Sequence, residues 1–286
     1  MIDMWPKMNH FVRTHAVLSA FLLTVLFMLP IMAAGLSLMV GMGQMKGLPI
    51  FTACQIGLSA ACIFLMRKLE VFDKSDFGFK NVGKGLLLGW IVYVFAIIMF
   101  AISLSSPPEG GYIAPNPLFL IMVILAPFIG TGLFEETLCR GLVLKTLLQK
   151  MGDTKKGMIA ACVISAVLFG VAHLANLTWV APLSVIPQVF FATASGIFLG
   201  AIYLRTKTLI APILLHGINN VFTQILDAFT SPDFISQRDA AASANVMEVA
   251  VTTLIIVTLY LIPAFVLLRK VKPAEIAGEQ PGEIIR

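Results

Sequence analysis

Apolar residues run along this chain in long, nearly unbroken stretches, at about residues 16–41, 49–66, 85–104, 117–134, 157–174, 181–203, 209–228 and 247–268. Each holds roughly the 17–25 residues that an α-helix needs to cross about 30 Å of hydrocarbon. The pattern predicts an all-α polytopic membrane protein with about eight transmembrane helices, of which the second, fourth and fifth are the shortest. Lys7 and Arg13 precede the first stretch, and Ala33, Ala34 and Gly35 follow it. Its apolar core exceeds the roughly 7–15 residues of a signal-peptide h-region, so a retained helix is expected.

Composition agrees with that pattern. Hydrophobic residues make up 58% of the 286 and charged residues only 12%, against about 45–50% and about 25% in soluble domains. The net charge of +5 does not point to nucleic acid, because no basic stripe with interleaved aromatics is present. It follows the loops instead. Lys7, Arg13, the five basic residues between Arg67 and Lys84, the four between Lys145 and Lys156, Arg205, Lys207 and the four after Leu268 fall on one side of an eight-span arrangement. Only Lys46 and Arg238 fall on the other. The asymmetry predicts that both termini are cytoplasmic. The expected location is a bacterial cytoplasmic membrane. Trp5, Trp90, Trp179, Tyr112, Tyr203 and Tyr260 lie at or near predicted span ends, where interfacial anchors belong. Cys54, Cys62, Cys139 and Cys162 form no CxxC pair and read as small buried hydrophobes. No loop is long enough for a soluble domain, so any chemistry belongs to the bundle. The expected division is 1–116 as N-terminal membrane helices, 117–228 as a catalytic core, and 229–286 as the last transmembrane helix with a cytoplasmic tail.

Ionisable groups inside a membrane are functional candidates, because each costs about 2.5–3.5 kcal/mol at mid-bilayer on insertion scales. They gather in three places. The first is Glu135-Glu136-Thr137-Leu138-Cys139-Arg140. Glu136 and Arg140 stand at i, i+4 with the acid first, the favoured order for a helical ion pair. Glu135 is rotated by about 100° and points elsewhere. The second is Phe169…His173, one helical turn apart, and the third is His216…Asn220 at i, i+4. Taken singly, each has a plain explanation as packing or interhelical hydrogen bonding. Together they hold what hydrolysis of an amide by water requires. A carboxylate and an imidazole can deprotonate the water, and an imidazole N–H and a carboxamide can stabilise the oxyanion. Neither GxSxG nor HExxH occurs, so serine hydrolase and zincin readings lack their markers. A transporter or channel using the same acids and histidines as a proton relay is the alternative from another class. A non-enzymatic scaffold is a third.

In order and in spacing, EExxxR at Glu135, Glu136 and Arg140, FxxxH at Phe169 and His173, and HxxxN at His216 and Asn220 resemble the motifs of the CPBP intramembrane proteases, also called the Abi or CAAX-protease family. The resemblance covers roughly residues 117–228. It implies that Glu135 and His173 activate water, that His216 and Asn220 stabilise the oxyanion, and that Glu136, Arg140 and Phe169 give structural support. It implies a peptide or protein substrate associated with the lipid bilayer, and no nucleic acid. Because the family is commonly labelled metalloprotease, two forms stay open. One is metal-free glutamate chemistry; the other is a divalent ion such as zinc held by Glu135, His173 and His216.

One feature of the spacing sits poorly with straight helices. From the predicted helix starts, His173 lies about 24 Å along the fifth span, and Glu135 about 27 Å along the fourth. His216 lies only about 10 Å into the seventh. The expectation is that Lys150–Met158 forms a cytosolic extension of the fifth helix, with a kink at Pro127, Gly130 and Gly132 as the other solution.

Overall fold

The computed structural model describes residues 4–105, 107–108, 111–178, 181–230 and 246–273, and is all-helical with no strand among them. Among the described residues ten helices carry the fold: α1 (Met4–Thr14), α2 (Ala16–Met42), α3 (Gln44–Lys68), α4 (Val82–Leu88), α5 (Trp90–Ser105), α6 (Pro117–Met151), α7 (Lys155–Ala172), α8 (Pro182–Thr206), α9 (Ile210–Gln224) and α10 (Val246–Arg269). Five are long and apolar enough to span a bilayer, or up to seven counting two bent pairs as one span each. The bent pairs are α1 with α2, at 112°, and α4 with α5, at 55°. The protein is therefore an integral membrane protein. The seventh apolar run is not among these spans: α9 has 15 residues and continues directly into the short 3₁₀ segment Ile225–Phe229. Loop residues Trp179 and Arg238 and most of the tail lie outside the described residues.

Local chemistry sets the helix starts. Pro117 opens α6 at the first helical position, and Asn116 Oδ1 accepts from the backbone N–H groups of Leu118 and Phe119 at 3.0 and 3.1 Å, as an N-cap should. Thr154 caps α7 by accepting from Gly157 N–H at 3.0 Å. Lys150–Met158 is not one extension. Helix α6 runs on to Met151, a turn follows, and α7 begins at Lys155.

Helix α6 is central. From Glu136 to Leu144 every residue is buried, with Phe134, Leu138, Leu142 and Leu147 fully enclosed. Its charged motif thus faces protein on all sides, not lipid. Outward, residues such as Leu18, Leu22, Ile97, Ile102, Leu254 and Phe265 are exposed and suit an acyl-chain environment. The small-residue face Ala192, Gly196 and Gly200 packs within the chain. A β-carbon on Gly196 would stand 3.0 Å from the Ala166 side chain, and one on Gly200 would stand 2.7 Å from Cys162 Sγ.

The basic loops meet at one end of the bundle. Arg13 pairs with Glu70 at 2.7 Å, and Lys145 with Asp76 at 2.7 Å. Lys155 Nζ donates to Arg269 O at 2.5 Å, and Arg205 to Lys270 O. Two tyrosines expected as interfacial anchors are buried instead, Tyr203 at 4% and Tyr260 at 1% exposure. The reason is that each hydroxyl has an internal partner, Asp76 for Tyr203 and Asn219 for Tyr260. Cys54 is exposed, while the other three cysteines are buried and all four are free thiols.

Candidate active site

The acidic pair occupies a short α-helical turn, Leu133–Glu136, inside α6. It lies between two π-helical stretches, Pro127–Gly132 and Thr137–Leu144. Wide turns of this kind recur at functional sites. Here the expected kink at Pro127, Gly130 and Gly132 takes the form of a π stretch. Close approach of α9 depends on two glycines. A β-carbon on Gly132 would meet Ile213 O at 3.0 Å, and one on Gly217 would overlap the Phe128 ring.

That crossing brings His216 to both carboxylates. Its Nδ1 is 2.8 Å from Glu136 Oε1, and its Nε2 is 3.6 Å from Glu135 Oε2. The first is a hydrogen bond. The second is too long for one and leaves a gap that a single water can share. Glu136 Oε1 also accepts from Arg140 Nη1 at 2.8 Å, and Arg140 Nη2 donates to Gly196 O at 3.0 Å. Arg140 and Glu136 are 2% and 0% exposed. A buried pair survives only when such further hydrogen bonds compensate the lost hydration.

Phe169 ties these groups together. The Arg140 guanidinium lies 5.2 Å from its ring centroid, and the rings of His173 and His216 meet it edge-on at 4.9 and 6.4 Å. His173 begins the single-turn segment His173–Thr178 after α7, and its Nδ1 lies 2.9 Å from Phe169 O. A carbonyl accepts only, so Nδ1 carries the proton, and in the neutral ring Nε2 is the basic nitrogen.

A cavity of about 210 Å³ collects Glu135, Phe169, His173, His216 and Asn220 on its wall, while Glu136 and Arg140 lie behind it. All seven residues singled out in the sequence thus belong to one neighbourhood. The cavity has further polar lining that the motifs do not mark: Thr131, Gln188, Ser195, Asn219, Gln224 and Tyr260. Asn219 was visible beside Asn220. Gln188 and Ser195, as polar groups in a long apolar run, carried a signal of the same kind. Tyr260 gave none. Val92 and Tyr260 reach the cavity from outside residues 117–228, so the walls extend beyond the expected core.

Among the described residues, no group of three or more His, Cys, Asp or Glu side chains is placed to hold a metal ion. Each histidine has its Nδ1 engaged, that of His216 with Glu136 and that of His173 with Phe169 O, which fixes both rings.

Residues 117–222 match a family model described as type II CAAX prenyl endopeptidase Rce1-like. No curated protein matches the chain.

Proposed function

We propose that the chain, whose residues 117–222 match the type II CAAX prenyl endopeptidase Rce1-like family model, is an intramembrane protease of the CPBP family, an endopeptidase cleaving a membrane-associated protein or peptide. One observation carries the reading. His216, fixed through Nδ1 by the buried Glu136, holds its other nitrogen toward Glu135 across the cavity that His173 and Asn220 also line.

In this mechanism, water between Glu135 and His173 gives up a proton to the carboxylate as its oxygen attacks the scissile carbonyl carbon. The carbonyl π electrons move to oxygen, and the oxyanion takes hydrogen bonds from His216 Nε2–H and the Asn220 carboxamide. With Nδ1–H on Glu136, a proton on Nε2 makes the His216 ring a cation, opposite in sign to the forming oxyanion. The tetrahedral centre then collapses, the C–N bond breaks, and Glu135 returns the proton to the leaving amine. Protein groups and water suffice for every step. The basic end of the bundle faces the cytoplasm in this reading, following the positive-inside rule, and 117–228 forms the hydrolytic core.

The test compares peptide termini in cells carrying wild-type protein or Glu135→Gln, then repeats the cleavage with purified protein and a chelator. New termini that depend on Glu135 and survive chelation are expected. Cleavage abolished by chelator and restored by zinc would replace the glutamate mechanism. Identical termini in both strains would remove the proteolytic reading.

A further inference from the structure

Helix α10 lies beyond the matched residues 117–222, yet it sends one side chain to the candidate active site. The Tyr260 ring sits in a box of three phenylalanines, with centroids 5.6 Å from Phe95, 5.4 Å from Phe191 and 5.7 Å from Phe198, all edge-on. Phenylalanine would fill that box equally well. The hydroxyl therefore has no packing role, and burying it costs free energy unless it is hydrogen-bonded. Its bond goes into the cavity wall, where it donates to Asn219 Oδ1 at 3.4 Å.

Asn219 passes the constraint along. With its oxygen facing the phenol, its Nδ2 faces Asn220 and donates to Oδ1 at 3.3 Å. Asn220 Oδ1 is thereby occupied as an acceptor. Its NH₂ is the end left to serve as a donor on the cavity side. Without Tyr260, Asn219 Oδ1 loses its partner and both carboxamides are freer to turn. A flipped Asn220 would present an oxygen to a developing oxyanion and repel it.

We propose that Tyr260 is a positioning residue whose hydroxyl, acting through Asn219, holds the Asn220 carboxamide with its NH₂ toward the oxyanion. The proposal rests on the oxyanion role given to Asn220 above. It also makes the last helix part of the catalytic unit.

Steady-state cleavage of a peptide substrate by the purified full-length protein tests it, with kcat taken per folded molecule. Tyr260→Phe keeps the aromatic box and removes only the hydroxyl. It should lower kcat about tenfold, less than the roughly 10²–10³-fold seen when an oxyanion donor is deleted outright, with KM unchanged. Asn219→Ala should give a similar loss, and the Tyr260→Phe, Asn219→Ala double variant should lose no more than either alone. Such non-additivity is the mark of residues acting in series. Unchanged kcat in Tyr260→Phe, a change confined to KM, or losses that multiply in the double variant would each overturn the relay. Asn220→Ala separates this from the parent reading. If it leaves kcat intact, the oxyanion assignment itself fails; if it is severe while Tyr260→Phe matches wild type, only the relay fails.

Discussion

Two buried carboxylates, Glu136 and Asp76, are both 0% exposed and each meets one cation and one ring-bearing side chain. Their difference separates a structural knot from a reactive one. Asp76 is saturated. Its Oδ1 accepts from the Tyr203 hydroxyl at 2.8 Å, and its Oδ2 accepts from Lys145 Nζ at 2.7 Å and Asp73 N–H at 2.9 Å. Even its backbone oxygen is taken, by Leu209 N–H at 2.6 Å. The groups it joins come from the loop after α3, from α6, from α8 and from the start of α9. Glu136 is left incomplete. Oε1 serves both Arg140 and His216, while Oε2 is buried with no hydrogen-bond partner among the described residues. A buried oxygen left unpaired costs about 1–3 kcal/mol and is the kind of exception found where chemistry is done. On the proposed mechanism, the saturated carboxylate is an anchor, and the incomplete one supports the histidine that faces the cavity.

The sharpest way to break this comparison is at Glu135, which lines the cavity and has no saturating partner. Glu135→Gln should lower peptide cleavage by about 10³–10⁴-fold, within the range for a lost acid–base group, while the thermal midpoint of the purified protein stays put. A residual rate above a tenth of wild type would place the chemistry elsewhere. His173→Ala and His216→Ala should each cost about 10²–10³-fold in the same assay. A mild effect from either would remove that histidine from contact with the reacting atoms.

Breaking either buried pair from one side should act on stability. Arg140→Met leaves Glu136 as an uncompensated buried charge, and Asp76→Ala does the same to Lys145. Each should cost about 3–5 kcal/mol of folding free energy, read from denaturant or thermal unfolding in detergent. The two variants should then part. Asp76→Ala should retain its kcat per folded molecule, whereas Arg140→Met should lose activity, because Glu136 no longer holds His216. Equal loss of kcat in both would erase the distinction between anchor and working site.

The smallest effects belong to the exposed rim of the Asp76 knot. The Asp73 carboxyl is held below the usual carboxylate range, chiefly by the Ser75 backbone N–H and then by its side chain, with Lys145 and Lys207 adding to the effect. A depressed carboxyl contributes stability fully above its unfolded value of about 3.9. The contribution is lost as pH falls through the depressed folded value. Asp73→Asn should therefore flatten the acid limb of the stability profile, lowering stability slightly at neutral pH and leaving it unchanged at pH values where the carboxyl is already protonated. Arg13→Ala should cost under about 1 kcal/mol, since Arg13 and Glu70 are 52% and 64% exposed.

Legibility differed between the two knots for a physical reason. Glu136, Arg140 and His216 stand in apolar stretches, where any charge is conspicuous because lipid penalises it. Asp76 stands in a polar loop beside Lys74, Ser75 and Lys80, where a carboxylate reads as solvated. Only folding reveals that Tyr203 and Lys145 close over it. Tyr203 and Tyr260 illustrate the same limit from the other side. Their positions near span ends suggested anchors at the water boundary, and their partners, far away in sequence, draw them inside.

The amino-acid sequence by itself determined that the chain lies in a membrane, that it is helical, that its charge is asymmetric, and which seven residues form its polar motifs. These follow from local costs, namely the transfer of apolar surface and the penalty on charge, which each segment bears wherever it sits. The tertiary structure alone decided that α6 makes its turn through π stretches, that Glu136 is shared between Arg140 and His216, and that Tyr260 reaches the cavity from the last helix. Those outcomes depend on contacts between segments tens to more than a hundred residues apart. No local free-energy term records them, because each exists only once the helices have packed.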